Sequence, residues 1–277
     1  GSIPAQIWAD MKIVCQNLNV HHLVTHSKEK NTRTGKFADL LAGYAPDVVI
    51  VQEIFVLNTL FSKVGGNVRQ QLITKAKECG LQYCALSKPP NPIFGQDAGL
   101  MVLSRWPIAK DYSVTFREYG WKEVPNKKGF LHAKIKIPDE DKFLHVITVH
   151  MDAHEQMVRD NQVRQLRAHL AGHVSTDDFV VVGGDLNIPA GTPEFKQLRN
   201  LLHPYRDGWG ETHPGTTSHG PACVDYMFWS PNIKVCNQKL EDLDVSDHYC
   251  LMADFEIIKE DDQRYDAPKA ESTEKSS

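Results

Sequence analysis

The sequence predicts an α/β protein built as a sandwich of two β-sheets flanked by helices. Three observations predict it. Short apolar runs with β-type patterning recur from residue 11 to residue 257, they outnumber the helical stretches, and a few long helices are interleaved among them. A doubly wound parallel sheet suits that pattern less well.

In chain order, residues 11–18 (MKIVCQNL) read as a strand. Residues 37–45 read as a helix that ends at Pro46, and residues 47–52 (DVVIVQ) as a strand apolar on both faces. Residues 68–79 are helical by composition and spacing. Residues 99–104 (GLMVLS) form a buried strand closed by Arg105-Trp106-Pro107. Strands follow at 130–137 and 144–150, then a helix over 155–173 with apolar Met157, Val163, Leu166 and Leu170. Strands at 179–183, 224–230 and 249–257 complete the pattern.

The 277 residues, 41% hydrophobic and 24% charged, are those of an ordinary folded chain and exclude a collagen-like, mucin-like or wholly disordered one. Composition does not shift between residues 11 and 258, so a single domain is expected there. Residues 259–277 (KEDDQRYDAPKAESTEKSS) have almost nothing apolar to bury and read as a disordered tail. Residues 1–10 read as an N-terminal extension opening with Gly1-Ser2, a cleavage scar. The compartment stays open between cytoplasmic and secreted with a signal peptide removed. A formal charge of −4 gives no global positive field for nucleic acid, which is permitted but not favoured. No apolar run approaches the roughly 18–20 residues of a spanning helix. The six cysteines include no C-x-x-C pair, so neither a zinc knuckle nor a disulfide scaffold is indicated. Only Cys79 and Cys84 are near enough in sequence to invite a bridge in an oxidising compartment.

Polar residues stand at the ends of the apolar strands, where a strand delivers a side chain to the rim of a packed sheet. Glu53, in Gln52-Glu53 after DVVIV, is a hard-oxygen candidate for Mg²⁺, with a solvated strand terminus as the alternative. In Gly183-Gly184-Asp185-Leu186-Asn187, the glycines permit close backbone approach, and Asp185 and Asn187 can hold a water and bond a phosphoryl oxygen. Ser246-Asp247-His248 supplies a general-base candidate in His248, with Asp225 of Val224-Asp225-Tyr226 to orient it. His150 closes strand 144–150 and can donate to phosphate. His145 reads as a structural histidine, and His21, His22, His26 and His154 as surface residues, since no H-E-x-x-H accompanies them.

Taken in order, Asn17 in CQNLN, Gln52-Glu53, GLMVLSRWP, His150, GDLN (184–187), Asp225-Tyr226 and Ser246–His248 resemble the endonuclease/exonuclease/phosphatase superfamily. The resemblance covers about residues 11–257. It implies the deoxyribonuclease-I-like fold, a four-layered α/β/β/α sandwich of two mixed sheets, and a metal-dependent phosphodiesterase. Residues 127–137 (KKGFLHAKIKI), then FLHVITVHMDA and VRDNQVRQL, are similar to the neutral sphingomyelinase branch. The resemblance then implies cleavage of sphingomyelin, or a related choline phospholipid, to ceramide or diacylglycerol and phosphocholine. A nuclease or a nucleotide or inositol phosphatase of the same superfamily is the alternative, and a binding module that has lost catalysis the third reading.

The implied roles are Glu53 and Asn17 on Mg²⁺, with Asp247 as their support or a second metal ligand. His248 is the base, oriented by Asp225, with Asp185 positioning the water and Asn187 and His150 donating to the phosphoryl group. Asp97 and Lys128 would meet substrate. Mn²⁺ or Co²⁺ are substitutes for Mg²⁺, and Ca²⁺ would inhibit or support weakly. The branch usually has Asn-Gly-Gly where this chain has Asp97-Ala98-Gly99, and Thr-His-Leu where it has Val149-His150-Met151. An aspartate at 97 repels phosphate unless it binds a cation. The interval between Asp225 and Ser246 is too short for the long apolar hairpin of secreted bacterial members. Peripheral docking of a monomer on a membrane would fall to Trp121, Trp209 or residues 89–94 (PPNPIF).

Overall fold

The computed structural model describes residues 11–20, 27–60, 62–89, 91, 93, 95–123, 127–138, 140–207 and 222–258. The 1–10 extension, the 259–277 tail, His21, His22, His26, Trp209 and residues 90, 92 and 94 lie outside them. The chain runs β1 (Met11–Val20), α1 (Ser27–Tyr44), β2 (Val48–Ile54), β3 (Leu57–Asn58), β4 (Lys63–Val64), α2 (Gly66–Glu78), β5 (Tyr83–Leu86), β6 (Gly95–Gln96), β7 (Met101–Ser104) and β8 (Ile108–Thr115). It continues with β9 (Gly129–Lys136), β10 (Phe143–His150), α3 (Gln156–His173), β11 (Phe179–Asp185), α4 (Pro193–Leu202), β12 (Arg206–Asp207), β13 (Asp225–Trp229), β14 (Ile233–Glu241) and β15 (Cys250–Ile257).

The strands form two six-stranded sheets, β14-β15-β1-β2-β7-β5 and β12-β13-β11-β10-β9-β8, with a small β4-β3-β6 sheet beside them. Strand alternation explains the layers. In β2, Val48 and Ile50 enter a cluster shared with Leu131, Val146 and Val181 of the other sheet, while Val49 and Val51 turn outward onto Leu41 and Phe37 of α1 and Leu72 of α2. On the far side Ile147, Val149 and Val182 pack under Val163 and Leu166 of α3 and Phe195 of α4. Helix, sheet, sheet and helix therefore stack in four layers. Central strands covered on both faces are apolar throughout, which is why DVVIV and FVVV carry no alternation.

The departures from expectation have physical causes. Helix α1 begins at Ser27, ten residues before the expected start at 37, because residues 27–36 (SKEKNTRTGK) offer no apolar period. Strands β5, β8 and β14 lie at sheet edges. There β8 (IAKDYSVT) and β14 (IKVCNQKLE) carry the charges that keep an edge from pairing with another chain, and so do not look like buried strands. Helix α4 starts at Thr192-Pro193, with Thr192 Oγ1 accepting from Phe195 N at 3.2 Å, a capping signal present in the sequence. Residues 99 and 100 precede β7 rather than belonging to it. Met157, expected among the apolar residues of its helix, is 78% exposed in the first turn of α3. Cys79 and Cys84 are not bridged. No helix among the described residues is long and apolar enough to cross a membrane.

Under α3 lies a chain of imidazoles. His145 Nε2 meets Asp178 Oδ2 at 3.1 Å, His132 Nε2 meets His145 Nδ1 at 2.7 Å, and His169 Nε2 meets His132 Nδ1 at 3.0 Å. The carboxylate accepts, so His145 donates from Nε2 and must accept at Nδ1, and the same assignment passes along to His132 and His169. Burial, then the neighbouring imidazoles, pulls His132 far below the usual histidine range and His169 down to about 4. Burial also lowers His145, against the pull of Asp178.

In the unfolded chain these groups bind protons near pH 6.5, and in the folded protein only well below it. Their contribution to stability is full above about pH 6.5 and declines as the pH falls beneath it. Chemical denaturation at pH 7.5 and 5.5 is expected to show a smaller acid loss for His132→Gln than for the wild type. An equal or greater loss in the variant would contradict this.

Candidate active site

Each large sheet contains one parallel pair, β1 with β2 and β10 with β11, so four strands reach one rim by their C-terminal ends. Near those ends stand Asn17, Glu53, His150 and Asp185. The antiparallel neighbours begin at the same rim: β13 opens with Asp225, opposite Asp185 in register, and β15 follows Ser246–His248. Side-chain bonds join the two sheets there. Gln52 Nε2 donates to Thr148 Oγ1 at 2.9 Å, and Asn17 Nδ2 donates to Glu53 Oε1 at 2.9 Å and Asp185 Oδ2 at 3.1 Å.

Close approach at this rim dictates the glycines. A Cβ on Gly184, at φ 143°, would lie 2.0 Å from the Val149 carbonyl oxygen. Glu53 and Asn187 themselves adopt left-handed backbone, at φ 56° and 52°, which costs on the order of 1–3 kcal/mol at each position. The segment after Glu53 is correspondingly braced. Ile54 N donates to Gly99 O at 3.0 Å, and Ile54 O accepts from Arg69 Nε at 3.0 Å. Arg69 Nη1 in turn pairs with Asp97 Oδ2 at 2.6 Å, and Asp97 Oδ1 accepts from Val56 N at 3.0 Å and Gly99 N at 3.1 Å. A side chain at 99 would strike the Phe55 ring, so only glycine fits there.

These contacts correct the expectation for Asp97. Its carboxylate is engaged by a guanidinium and two backbone amides and is 1% exposed, so it braces the Glu53 loop instead of meeting substrate. The cation it needs is Arg69, whose part no local motif announces. Asn17 turns its amide nitrogen toward the two carboxylates and accepts from Asn19 N through Oδ1. Asp247 is exposed and bonded to Asn19 Nδ2 at 2.8 Å and to the Ser246 hydroxyl at 3.2 Å.

The remaining candidates converge. His248 Nδ1 lies 2.9 Å from Asp225 Oδ2, and its Nε2 lies 3.8 Å from Asp185 Oδ2. His150 Nε2 is 3.5 Å from both Glu53 Oε1 and Asp185 Oδ2, and Lys128 Nζ lies against it at 2.5 Å. Lys128 also reaches Glu123 Oε1 at 3.9 Å, a partner the sequence reading missed. Asn187 donates one amide hydrogen to Met151 O at 3.0 Å, and its backbone N–H donates to Asp185 Oδ1 at 3.0 Å.

Negative charge is in excess at this rim. Burial, then the Asp225 carboxylate, raises the Asp185 pKa, with His248 and Lys128 opposing and Glu53 adding to the rise. Burial works to lower His248, but the Asp225 carboxylate and its hydrogen bond, then Asp185 and Asp247, outweigh it and push the imidazole up to about 10. Glu53, His150 and Asp185 each present a ligand atom within 4.8 Å of the others, and so do Asp185, Asp225 and His248. Buried carboxylate oxygens that lack a full complement of positive charge fit a hard divalent cation.

The sequence model of the Endonuclease/Exonuclease/phosphatase family matches residues 17–248. Sphingomyelinase C of Bacillus cereus is 27% identical over 155 residues, which is 51% of this chain and 46% of that protein. Phospholipase C of Staphylococcus aureus is 28% identical over 209 residues, 69% of this chain and 62% of that protein. The chain thus spans about half to three-fifths of the length of these relatives. Among solved structures, sphingomyelinase C from Streptomyces griseocarneus superposes with a TM-score of 0.70 at 18% identity, covering 88% of this chain and 99% of that one. A mutant beta toxin of Staphylococcus aureus, solved with bound magnesium ions, gives 0.69 at 19% identity, covering 90% and 100%. The fold is therefore the expected deoxyribonuclease-I-like sandwich of two mixed sheets.

Removing one member of a buried ion pair costs about 3–5 kcal/mol because the other charge is left uncompensated. Arg69→Ala is expected to lower the thermal midpoint by about 10 °C. A midpoint equal to the wild type's would contradict the bracing role of the Arg69–Asp97 pair.

Proposed function

The chain belongs to the endonuclease/exonuclease/phosphatase family, and from that membership we propose that residues 11–258 act as a divalent-metal phosphodiesterase that releases phosphocholine from sphingomyelin or a related choline phospholipid. The observation that carries this reading is the convergence of Glu53, Asp185, Asp225 and His248 on one rim, beside Lys128, His150 and Asn187. Glu53 and Asp185 would hold the cation, with Mg²⁺ the proposed ion. When bound it polarises a phosphoryl oxygen and stabilises the leaving oxygen.

The chain's own groups do the rest. Asp225 fixes His248 by its Nδ1, leaving Nε2 toward Asp185. His248 Nε2 takes a proton from water, and Asp185 positions that water for in-line attack. Lys128, His150 and Asn187 would meet the negative charge that grows on the phosphoryl oxygens, the electrostatic contribution that usually weighs most. His248 is held as imidazolium by the surrounding carboxylates, so it must lose a proton before it can accept one. A cation held by Glu53 and Asp185 would weaken that hold.

The decisive assay measures phosphocholine release from sphingomyelin and phosphatidylcholine vesicles beside nicking of plasmid DNA, each with Mg²⁺ and with chelator. Chelator-sensitive release of phosphocholine is expected, whereas nicking without release would replace the lipid by a nucleic acid. Glu53→Ala and His248→Ala should each fold and lose at least about 10³-fold in rate, as removal of a general base and of charge stabilisation implies. Because deprotonated His248 is the working form, the rate should rise with pH through a midpoint above the 6.5 of an ordinary histidine. Wild-type turnover in either variant, or a flat profile from pH 5 to 9, would sink the mechanism.

A further inference from the structure

Beside the rim, the 118–123 segment forms a hydrogen-bonded lip. Gly120 N donates to Asp152 Oδ2 at 2.9 Å, Ala153 N donates to Glu123 Oε1 at 3.2 Å, and Gln162 Nε2 donates to Glu118 O at 3.0 Å. Gly120 itself packs so closely on Asp152 and Glu155 that a Cβ there would lie 2.6 Å from Glu155 Oε1. Through Glu123 the lip reaches Lys128 and His150, placing it at the edge of the site. The lip nevertheless presents apolar surface to water. Trp121 is 75% exposed and Tyr119 39%, and Met157, two residues past Glu155, is 78% exposed. Lys122 Nζ lies 5.6 Å from the Trp121 ring and Lys127 Nζ 5.4 Å from the Tyr119 ring.

We infer that Trp121, Tyr119 and Met157 form the surface that seats the enzyme on a phospholipid bilayer, with Lys122 and Lys127 meeting lipid phosphates. An exposed indole held on a braced turn, with ammonium groups against the aromatic faces, matches the headgroup boundary, where aromatic rings are half buried and cations find phosphate. This inference rests on the proposed lipid substrate, and of the docking candidates in the sequence it selects Trp121 and adds Tyr119 and Met157.

The test compares the wild type with Trp121→Ala and Met157→Ser. It measures sedimentation with phosphatidylcholine–sphingomyelin vesicles, phosphocholine release from those vesicles, and hydrolysis of a water-soluble phosphodiester. Both variants are expected to bind vesicles and release phosphocholine about tenfold less well while hydrolysing the soluble ester at the wild-type rate. Wild-type vesicle binding by Trp121→Ala overturns the inference, as does a wild-type protein that does not bind vesicles. A change of oligomeric state in Trp121→Ala without effect on vesicle binding overturns it in favour of a second copy of the chain. Vesicle binding that depends on Trp121 in a protein that hydrolyses no phosphodiester upholds the surface while refuting the proposed activity.

Discussion

A cluster of carboxylates with too little positive charge around it, buried where two sheets meet, is the constraint on which the structure depends. Glu53, Asp185 and Asp225 are all nearly withdrawn from water. Burying charges without matching partners is costly. The Asn17 amide is shared between two of the carboxylates, His248 is held by the third, and Lys128 approaches by way of His150. Burial and then the Asp225 carboxylate raise the Asp185 pKa, and the Asp225, Asp185 and Asp247 carboxylates raise that of His248 against its burial, so both shifts reflect the local excess of negative charge. What burdens the folded chain as a scaffold equips it to bind a cation.

The topology exists in a form that can make such a cluster. One parallel pair in each sheet sends four strand ends to one rim, and the antiparallel neighbours of those pairs start there with Asp225 and His248. Residues from Asn17 to His248 thereby meet at one rim. The sheets must approach closely for Gln52 to reach Thr148 and Asn17 to reach Asp185, and Gly184 is required where no Cβ fits. The left-handed turn at Glu53 aims its carboxylate, and the buried Arg69–Asp97 pair holds the loop beyond it. Asp97 is thus part of a charge pair internal to the fold, and its negative charge is matched before any phosphate arrives.

Much of this was legible because a polar residue directly after an apolar strand has few places to go except the rim. Glu53, His150 and Asp185 end apolar strands, Asp225 and His248 stand at the opening of others, and the fold brings all five to the same rim. Lys128, on the approach to β9, was found by family resemblance. The partners that brace the rim were not legible, since Arg69, Thr148 and Glu123 make their contacts across the fold and follow no local pattern. Asp97 was misread for the same reason: a motif position names a residue but not the guanidinium it meets. Edge strands β8 and β14 hid behind the charges that protect them, and the polar start of α1 has no apolar stripe. Met157 fitted a helical apolar pattern yet lies in a first turn that no layer covers.

The central claim, that the buried carboxylates form a cation site, is tested most directly by calorimetric titration of Mg²⁺ into chelator-treated protein at pH 7, in buffers of different ionisation enthalpy. The account predicts saturable binding with net proton release, since the cation displaces protons held by Asp185 and His248, and at least tenfold weaker binding in Asp185→Asn. No saturable binding, or equal affinity in the variant, would contradict it.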